Sequence, residues 1–145
     1  MELLKQAIRH NDLEGVKILI EHGVDVNTTD EHNETALHLA SRYGCIKVAK
    51  YLVENGASVN SMDSEFTTAL FLACANGHTD IAQYLLDHGA FADLEPNPVF
   101  DALSYNRHDC VKLLLPYCTE YYLDFVLCCR EQLARYSVRT DRKKT

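Results

Sequence analysis

Thr35-Ala36-Leu37-His38-Leu39-Ala40 returns 33 residues later as Thr68-Ala69-Leu70-Phe71-Leu72-Ala73. The same spacing carries Tyr43-Gly44 onto Asn76-Gly77. It also carries Val48-Ala49-Lys50-Tyr51-Leu52-Val53-Glu54-Asn55-Gly56-Ala57 onto Ile81-Ala82-Gln83-Tyr84-Leu85-Leu86-Asp87-His88-Gly89-Ala90. Three separate blocks in one register describe stacked supersecondary units rather than one globular knot. Such an array offers a long surface and no closed pocket, which favours binding over catalysis.

Each unit reads as a hairpin tip, a short helix, a tight turn, a longer helix and a loop. Thr35 and Thr68 stand where a hydroxyl satisfies the free N–H groups of a helix start, so a first helix runs from Thr35 to Arg42. Leu37 and Ala40 share its inner face. Ile46, Val48, Ala49, Leu52 and Val53 stripe the second helix, and Ile81, Ala82, Leu85 and Leu86 repeat that stripe. In the first unit Leu13, Val16, Leu19 and Ile20 do the same. Helices of about ten residues are marginal alone, so only stacking makes a core.

The pattern resembles the ankyrin repeat, whose units read Thr-Pro-Leu-His-x-Ala, then Gly-His, an apolar helix, and Gly-Ala-Asp-x-Asn. Gly23-Val24-Asp25-Val26-Asn27 and Gly56-Ala57-Ser58-Val59-Asn60 match the last block, with Gly where a helix end turns left-handed. The resemblance implies an all-α solenoid with short β-hairpin-like fingers, of about four units: 1–27, 28–60, 61–93 and 94–118. The first has lost its leading hairpin. Asp93 to Leu115 forms a worn fourth copy, in which Arg107-His108 follows Gly77-His78 by 30 residues, three short of the period. A capping helix over 119–136 and a basic, disordered tail over 137–145 complete the expected order.

The ends are expected to differ from the middle. Leu3, Leu4, Ala7 and Ile8 form the buried side of an N-terminal helix, with Glu2, Lys5, Gln6 and Arg9 wet. In the last helix Phe125, Cys129, Leu133 and Tyr136 share a face. Asn33 and Phe66 occupy the hairpin-tip place where the family has Gly; Asn tolerates positive φ and Phe does so poorly. Phe71 replaces the family His found at His38. Leu94-Glu95-Pro96-Asn97-Pro98 predicts a short, irregular fourth finger, because two prolines withhold two donors.

The net charge of −7 is unevenly spread: residues 130–145 carry +4, and residues 1–129 therefore −11. An acidic body repels nucleic-acid phosphates and suits a basic or neutral partner. No run of 18 apolar residues is present, so no membrane-spanning helix is expected. The start, Met1-Glu2-Leu3-Leu4-Lys5, lacks the apolar core of a secretory signal. The six cysteines are expected as free thiols, since Cys45, Cys74 and Cys110 fall within helical segments of three units. That reading places the chain in the cytoplasm or nucleus.

Chemistry at a site finds little support. Glycine-rich phosphate loops, a Gly-x-Ser-x-Gly elbow and a His-Glu-x-x-His pair are all missing from the sequence. Cys118, Cys128, Cys129 and His108 lack paired zinc-ligand spacing. No metal, no cofactor and no enzymatic activity are expected. His38 is assigned to local hydrogen bonding, and His22 and His88 to helix C-termini, where a cation meets the dipole. Phe125-x-x-x-Cys129-x-x-x-Leu133 loosely resembles the elongin-binding box of SOCS-box proteins, with Phe125 and Asp124 departing from it.

The expected function is therefore protein–protein interaction by a chain monomeric by itself, with a protein or peptide partner. The ankyrin resemblance puts partners on the hairpin tips and the exposed face of each first helix. On this sequence those are Glu31, His32, Glu34, Arg42 and Tyr43; Ser64, Glu65, Phe66, Thr67, Ala75 and Asn76; and Tyr105 and Asn106. Aromatic and Arg anchors single out Tyr43, Phe66, Tyr105 and Arg42. Asp30, Glu31, Glu34, Asp63, Glu65 and Glu95 set against Arg42 suggest a basic partner. The alternatives are a substrate-recruiting ubiquitin-ligase adaptor and an inert spacer.

Overall fold

The structure, a computed structural model, describes residues 1–118, 123–124 and 127–128. The expected closing helix over 119–136 falls mostly, and the tail over 137–145 entirely, outside them. Among the described residues, helices follow in pairs: α1 (Glu2–Arg9) and α2 (Leu13–Glu21); α3 (Ala36–Tyr43) and α4 (Ile46–Glu54); α5 (Ala69–Asn76) and α6 (Thr79–Asp87); α7 (Pro98–Ser104) and α8 (His108–Leu114). A 3-10 turn, Leu115–Tyr117, follows α8 at Pro116. The first helices α1, α3, α5 and α7 pack in one row; α2, α4, α6 and α8 form a second row behind it.

One polar residue starts each first helix after α1. Thr35 and Thr68 accept from the N–H of His38 and Phe71, and Asn97 accepts from Val99 at 3.0 Å. Between α3 and α4, Gly44 takes φ 75°, and Gly77 between α5 and α6 takes φ 78°, each reversing the chain in a left-handed residue. The core is one continuous apolar layer between the rows. Leu37, Leu52, Leu70, Leu85 and Leu114 are at most 1% exposed, with Val48, Ala49, Ile81 and Ala82 among them. Val16 is fully buried, whereas Leu13, Leu19 and Ile20 are half-buried at the array's edge.

Two expectations need correction. Leu3 is 67% exposed rather than buried: α1 packs against α2 and α3, and Leu4 and Ile8 take that side. The fourth unit follows the third by 29 residues. Asn106, at φ 56°, holds the place of Gly77, and Arg107 that of His78. The hydrogen bonds agree, His78 N–H donating to Ala73 and Arg107 N–H to Ala102. The Pro-rich finger before α7 is therefore four residues short of the period, and it forms bends with no strand.

The fingers are thinner than hairpins. Among the described residues the only bridge joins Thr29 to Thr35. A side chain shapes each tip instead. Asp30 Oδ1 accepts from the N–H of His32 (2.8 Å) and Glu34 (2.9 Å). Asp63 Oδ1 accepts from Glu65 and Thr67, both at 2.9 Å. These turns place Asn33 at φ 56° and Phe66 at φ 61°, so Phe66 does adopt the strained conformation.

Asparagines tie the loops behind. Asn27 donates to Gly56 O (3.0 Å) and accepts from Ser58 N–H (2.8 Å). Asn60 does likewise with Gly89 O (2.9 Å) and Phe91 N–H (2.8 Å). The second and third units also finish their predecessors' first helices. Cys45, before α4, donates its S–H to Ile8 O (3.4 Å), and His78, before α6, donates Nε2–H to Arg42 O (3.1 Å). Those carbonyls belong to the open end of a helix, which needs donors from outside itself.

Candidate partner-binding surface

The tips of the second and third units are joined, since Ser64 N–H donates to His32 O at 2.8 Å. That bond sets Glu31, His32, Ser64, Glu65 and Phe66 along one edge, all exposed. Phe66 is 67% exposed, an unusual place for a large apolar ring in an unfavourable backbone conformation. His32 and Glu31 approach only to 3.7 Å, and both are solvated.

Two expected contact residues are buried. Glu34 is 8% exposed, its Oε1 sealed from solvent and lying 2.6 Å from Arg42 Nη2. That pair ties the foot of the second finger to the C-terminal end of α3. Thr67, also 8% exposed, gives its hydroxyl to Asp63.

The ends of the first helices present the remaining expected residues. Arg42 is half-exposed, and Tyr43 is 45% exposed at the end of α3. Ala75 is half-buried and Asn76 exposed at the end of α5, where Asn76 Nδ2 donates to Leu72 O (2.8 Å). Tyr105, 61% exposed, stands in the place of Tyr43 and Asn76; Asn106 stands in the place of the turn glycine.

Much of the acidic edge is already neutralised. Asp30 pairs with Lys5 of α1. Burial works against its charge, yet Lys5 and the N–H groups of Glu34 and His32 prevail and hold its carboxyl at about 2. The backbone and hydroxyl bonds of Thr67 likewise outweigh burial at Asp63 and lower its pKa. Asp30, Glu34 and Asp63 therefore serve the fold, and Glu31 and Glu65 are the carboxylates exposed at the joined tips.

His38 is 1% exposed. The Thr35 N–H (3.2 Å) and hydroxyl (2.7 Å) meet its Nδ1, and its Nε2–H donates to Thr67 O (3.2 Å), so the ring is the neutral Nε2–H tautomer. Burial pushes its pKa below the usual 6.5. His22 and His88 are exposed and give Nδ1–H to Ile18 O (2.7 Å) and Tyr84 O (2.8 Å), each closing a helix end. No group of three His, Cys, Asp or Glu among the described residues is placed to hold a metal ion. No helix among them is long and apolar enough to cross a membrane.

Residues 1–63 and 62–124 each match the family model described as ankyrin repeats (3 copies). The chain belongs to the ankyrin-repeat family. Its fold is similar to the crystal structure of the human ASB11 ankyrin repeat domain, with a TM-score of 0.76 and 34% identity, over 81% of this chain and 54% of that one. The chain thus spans about half the length of that structure. None of the curated proteins compared with the chain matches it. Ankyrin arrays are modules of protein–protein interaction, and this array carries the family's two accessible regions, the fingertips and the ends of the first helices.

Proposed function

We propose that this protein binds a Lys- or Arg-rich protein or peptide along the joined tips of its second and third fingers and the ends of α3, α5 and α7. The observation that carries the reading is Phe66. Holding a bulky residue in the left-handed region costs on the order of 1–3 kcal/mol, and such strain persists mainly where it serves a site. Here it presents an exposed ring between Glu65 and the buried Thr67. Aromatic anchors supply much of an interface's energy, and neighbouring carboxylates steer a cationic partner. Glu31 and Glu65 supply the charge, and Tyr43, Arg42 and Tyr105 extend the surface.

A crosslinking pull-down from native lysate identifies the partner. Phe66→Ala should then weaken its binding at least tenfold, and Glu31→Lys with Glu65→Lys should slow association. Glu54→Lys with Asp87→Lys, on the second helices, should change neither. Raising salt from about 50 to about 500 mM, which shrinks the Debye length severalfold, should slow association further. A partner bound equally by all three variants would place the contact elsewhere and overturn this surface, whereas capture of no partner would favour the spacer reading. This reading assigns the protein no catalysis and places it in a reducing compartment, the cytoplasm or nucleus. The adaptor alternative stands on the spacing of Phe125, Cys129 and Leu133 alone, and coprecipitation with elongin tests it.

A further inference from the structure

A cleft of about 250 Å³ opens where the α5–α6 turn of the third repeat meets the α7–α8 turn of the fourth. Gly77 and Thr79 line it from the first turn, and Asn106, Arg107, His108 and Asp109 from the second. It adjoins the ends of α5 and α7, since Asn76 precedes Gly77 and Tyr105 precedes Asn106. The Arg107 side chain lies across Gly77. A Cβ at Gly77 would come within 2.9 Å of the Arg107 Cδ and 3.1 Å of its Nε, so the missing side chain gives the guanidinium its room.

That guanidinium is unspent. In the matching places Cys45 and His78 donate to the carbonyl of a helix end. Arg107 is exposed, and among the described residues no carboxylate stands within ion-pair distance of it. Arg42, by contrast, is already held by Glu34 at 2.6 Å. Around Arg107 stand an amide at Asn106, an imidazole at His108 and the hydroxyl of Thr79. The Thr79 hydroxyl has the Cys110 sulfur 3.4 Å away, a weak partner that competes poorly with a charged ligand.

The geometry points to this cleft as a carboxylate-binding subsite, which takes an Asp or Glu side chain or the C-terminal carboxylate of the bound partner. The partner is that of the surface proposed above, on which this reading rests. A guanidinium presents its N–H donors in a rigid fork that fits a carboxylate with two parallel bonds. Asp109 shares the cleft, and its exposed carboxylate has Lys112 only at 3.7 Å. A phosphate dianion would meet that carboxylate with twice the charge of a monoanion, so the carboxylate is the better fit. The partner is therefore basic where it meets Glu31 and Glu65 and acidic at one point opposite Arg107. A uniformly basic peptide would set like charges together there and be disfavoured.

The test titrates the full chain at constant ionic strength with three probes. N-acetylglutamate α-amide carries its one carboxylate on the side chain, N-acetylglycine carries it at the terminus, and inorganic phosphate is the competitor. NMR follows the Arg107 Nε–Hε signal and the backbone N–H signals of Thr79 and His108. At least one carboxylate should give saturable shifts in all three, and the tighter of the two identifies the source. Arg107→Gln should weaken that binding about tenfold or more, the range of a hydrogen bond to a charged group. Arg107→Lys, which keeps the charge and loses the fork, should also weaken it, and Lys47→Gln on α4 should not. The proposal is overturned if neither carboxylate gives saturable shifts, if Arg107→Gln binds them as well as the wild type, or if phosphate binds more tightly than both. The titration uses no partner, so its failure is separate from a failure of Phe66→Ala to weaken partner binding.

Discussion

The Nε2–H of His38, in the first helix of the second repeat, donates to the carbonyl of Thr67 at the foot of the third finger, 3.2 Å away. In the first repeat the equivalent residue is Lys5, which also reaches forward, to Asp30 of the second finger. In the first two repeats, one position of the unit thus fastens the first helix to the next finger, by a neutral bond in one and an ion pair in the other.

His38→Phe, which copies Phe71 of the following repeat, should destabilise by about 1–3 kcal/mol, because it leaves buried polar partners unmatched. The wild type should also lose stability as pH falls below about 6.5. The unfolded chain there takes up a proton that the buried ring resists. The variant should show a shallower loss over that range. Chemical denaturation at pH 7.5 and 5.5 separates the two effects.

Asp30→Asn keeps the oxygen that shapes the tip and removes the charge that meets Lys5. The expected loss at neutral pH is about 1.5–3 kcal/mol, the range of a hydrogen bond to a charged group. A depressed carboxylate pKa stabilises the fold above its unfolded value, so this contribution is complete above about 3.8 and vanishes as pH falls toward about 2. Wild-type and variant unfolding curves should therefore converge at the acid end. The raised pKa of Lys5 stabilises below 10.5 and loses effect as pH rises through its folded value.

Leu52→Ala should destabilise by about 2–5 kcal/mol, because Leu52 is fully buried and truncation leaves a cavity. Glu54→Ala, at the exposed end of the same helix, should change stability by less than about 0.5 kcal/mol. Equal shifts in denaturation midpoint would contradict the assigned face of α4.

Gly44→Ala meets two obstacles. Its φ of 75° disfavours any Cβ, and that atom would come within 2.6 Å of the His78 ring. Gly56→Ala, at φ 90° with open space around it, meets only the first. The backbone part is about 1–2 kcal/mol at each site. Adding His78→Ala to Gly44→Ala should recover only the excess over Gly56→Ala, which a double-mutant cycle measures.

The array was legible because its regularity sits in types that local physics demands: Thr caps, turn glycines, and stripes of Leu, Val and Ile. Contact identities were less legible, because a side chain's partner often belongs to another unit. Asp30 and Asp63 read as surface charge, and only the folded finger shows them accepting from their own turns. Glu34 and Thr67 stand beside exposed tip residues in sequence, yet the chain has turned inward by then. The fourth repeat's register was off by one because Asn106 can adopt the left-handed turn without being Gly.

The donors that Cys45 and His78 give to the preceding unit set a limit on how such a chain can be divided. A repeat cut away at its own boundary leaves carbonyls at its helix end that its successor used to occupy. Inheritance by whole-unit duplication or loss therefore works only where the new neighbour brings a suitable donor. The effective hereditary block is a unit together with the turn residue just before the second helix of the unit that follows.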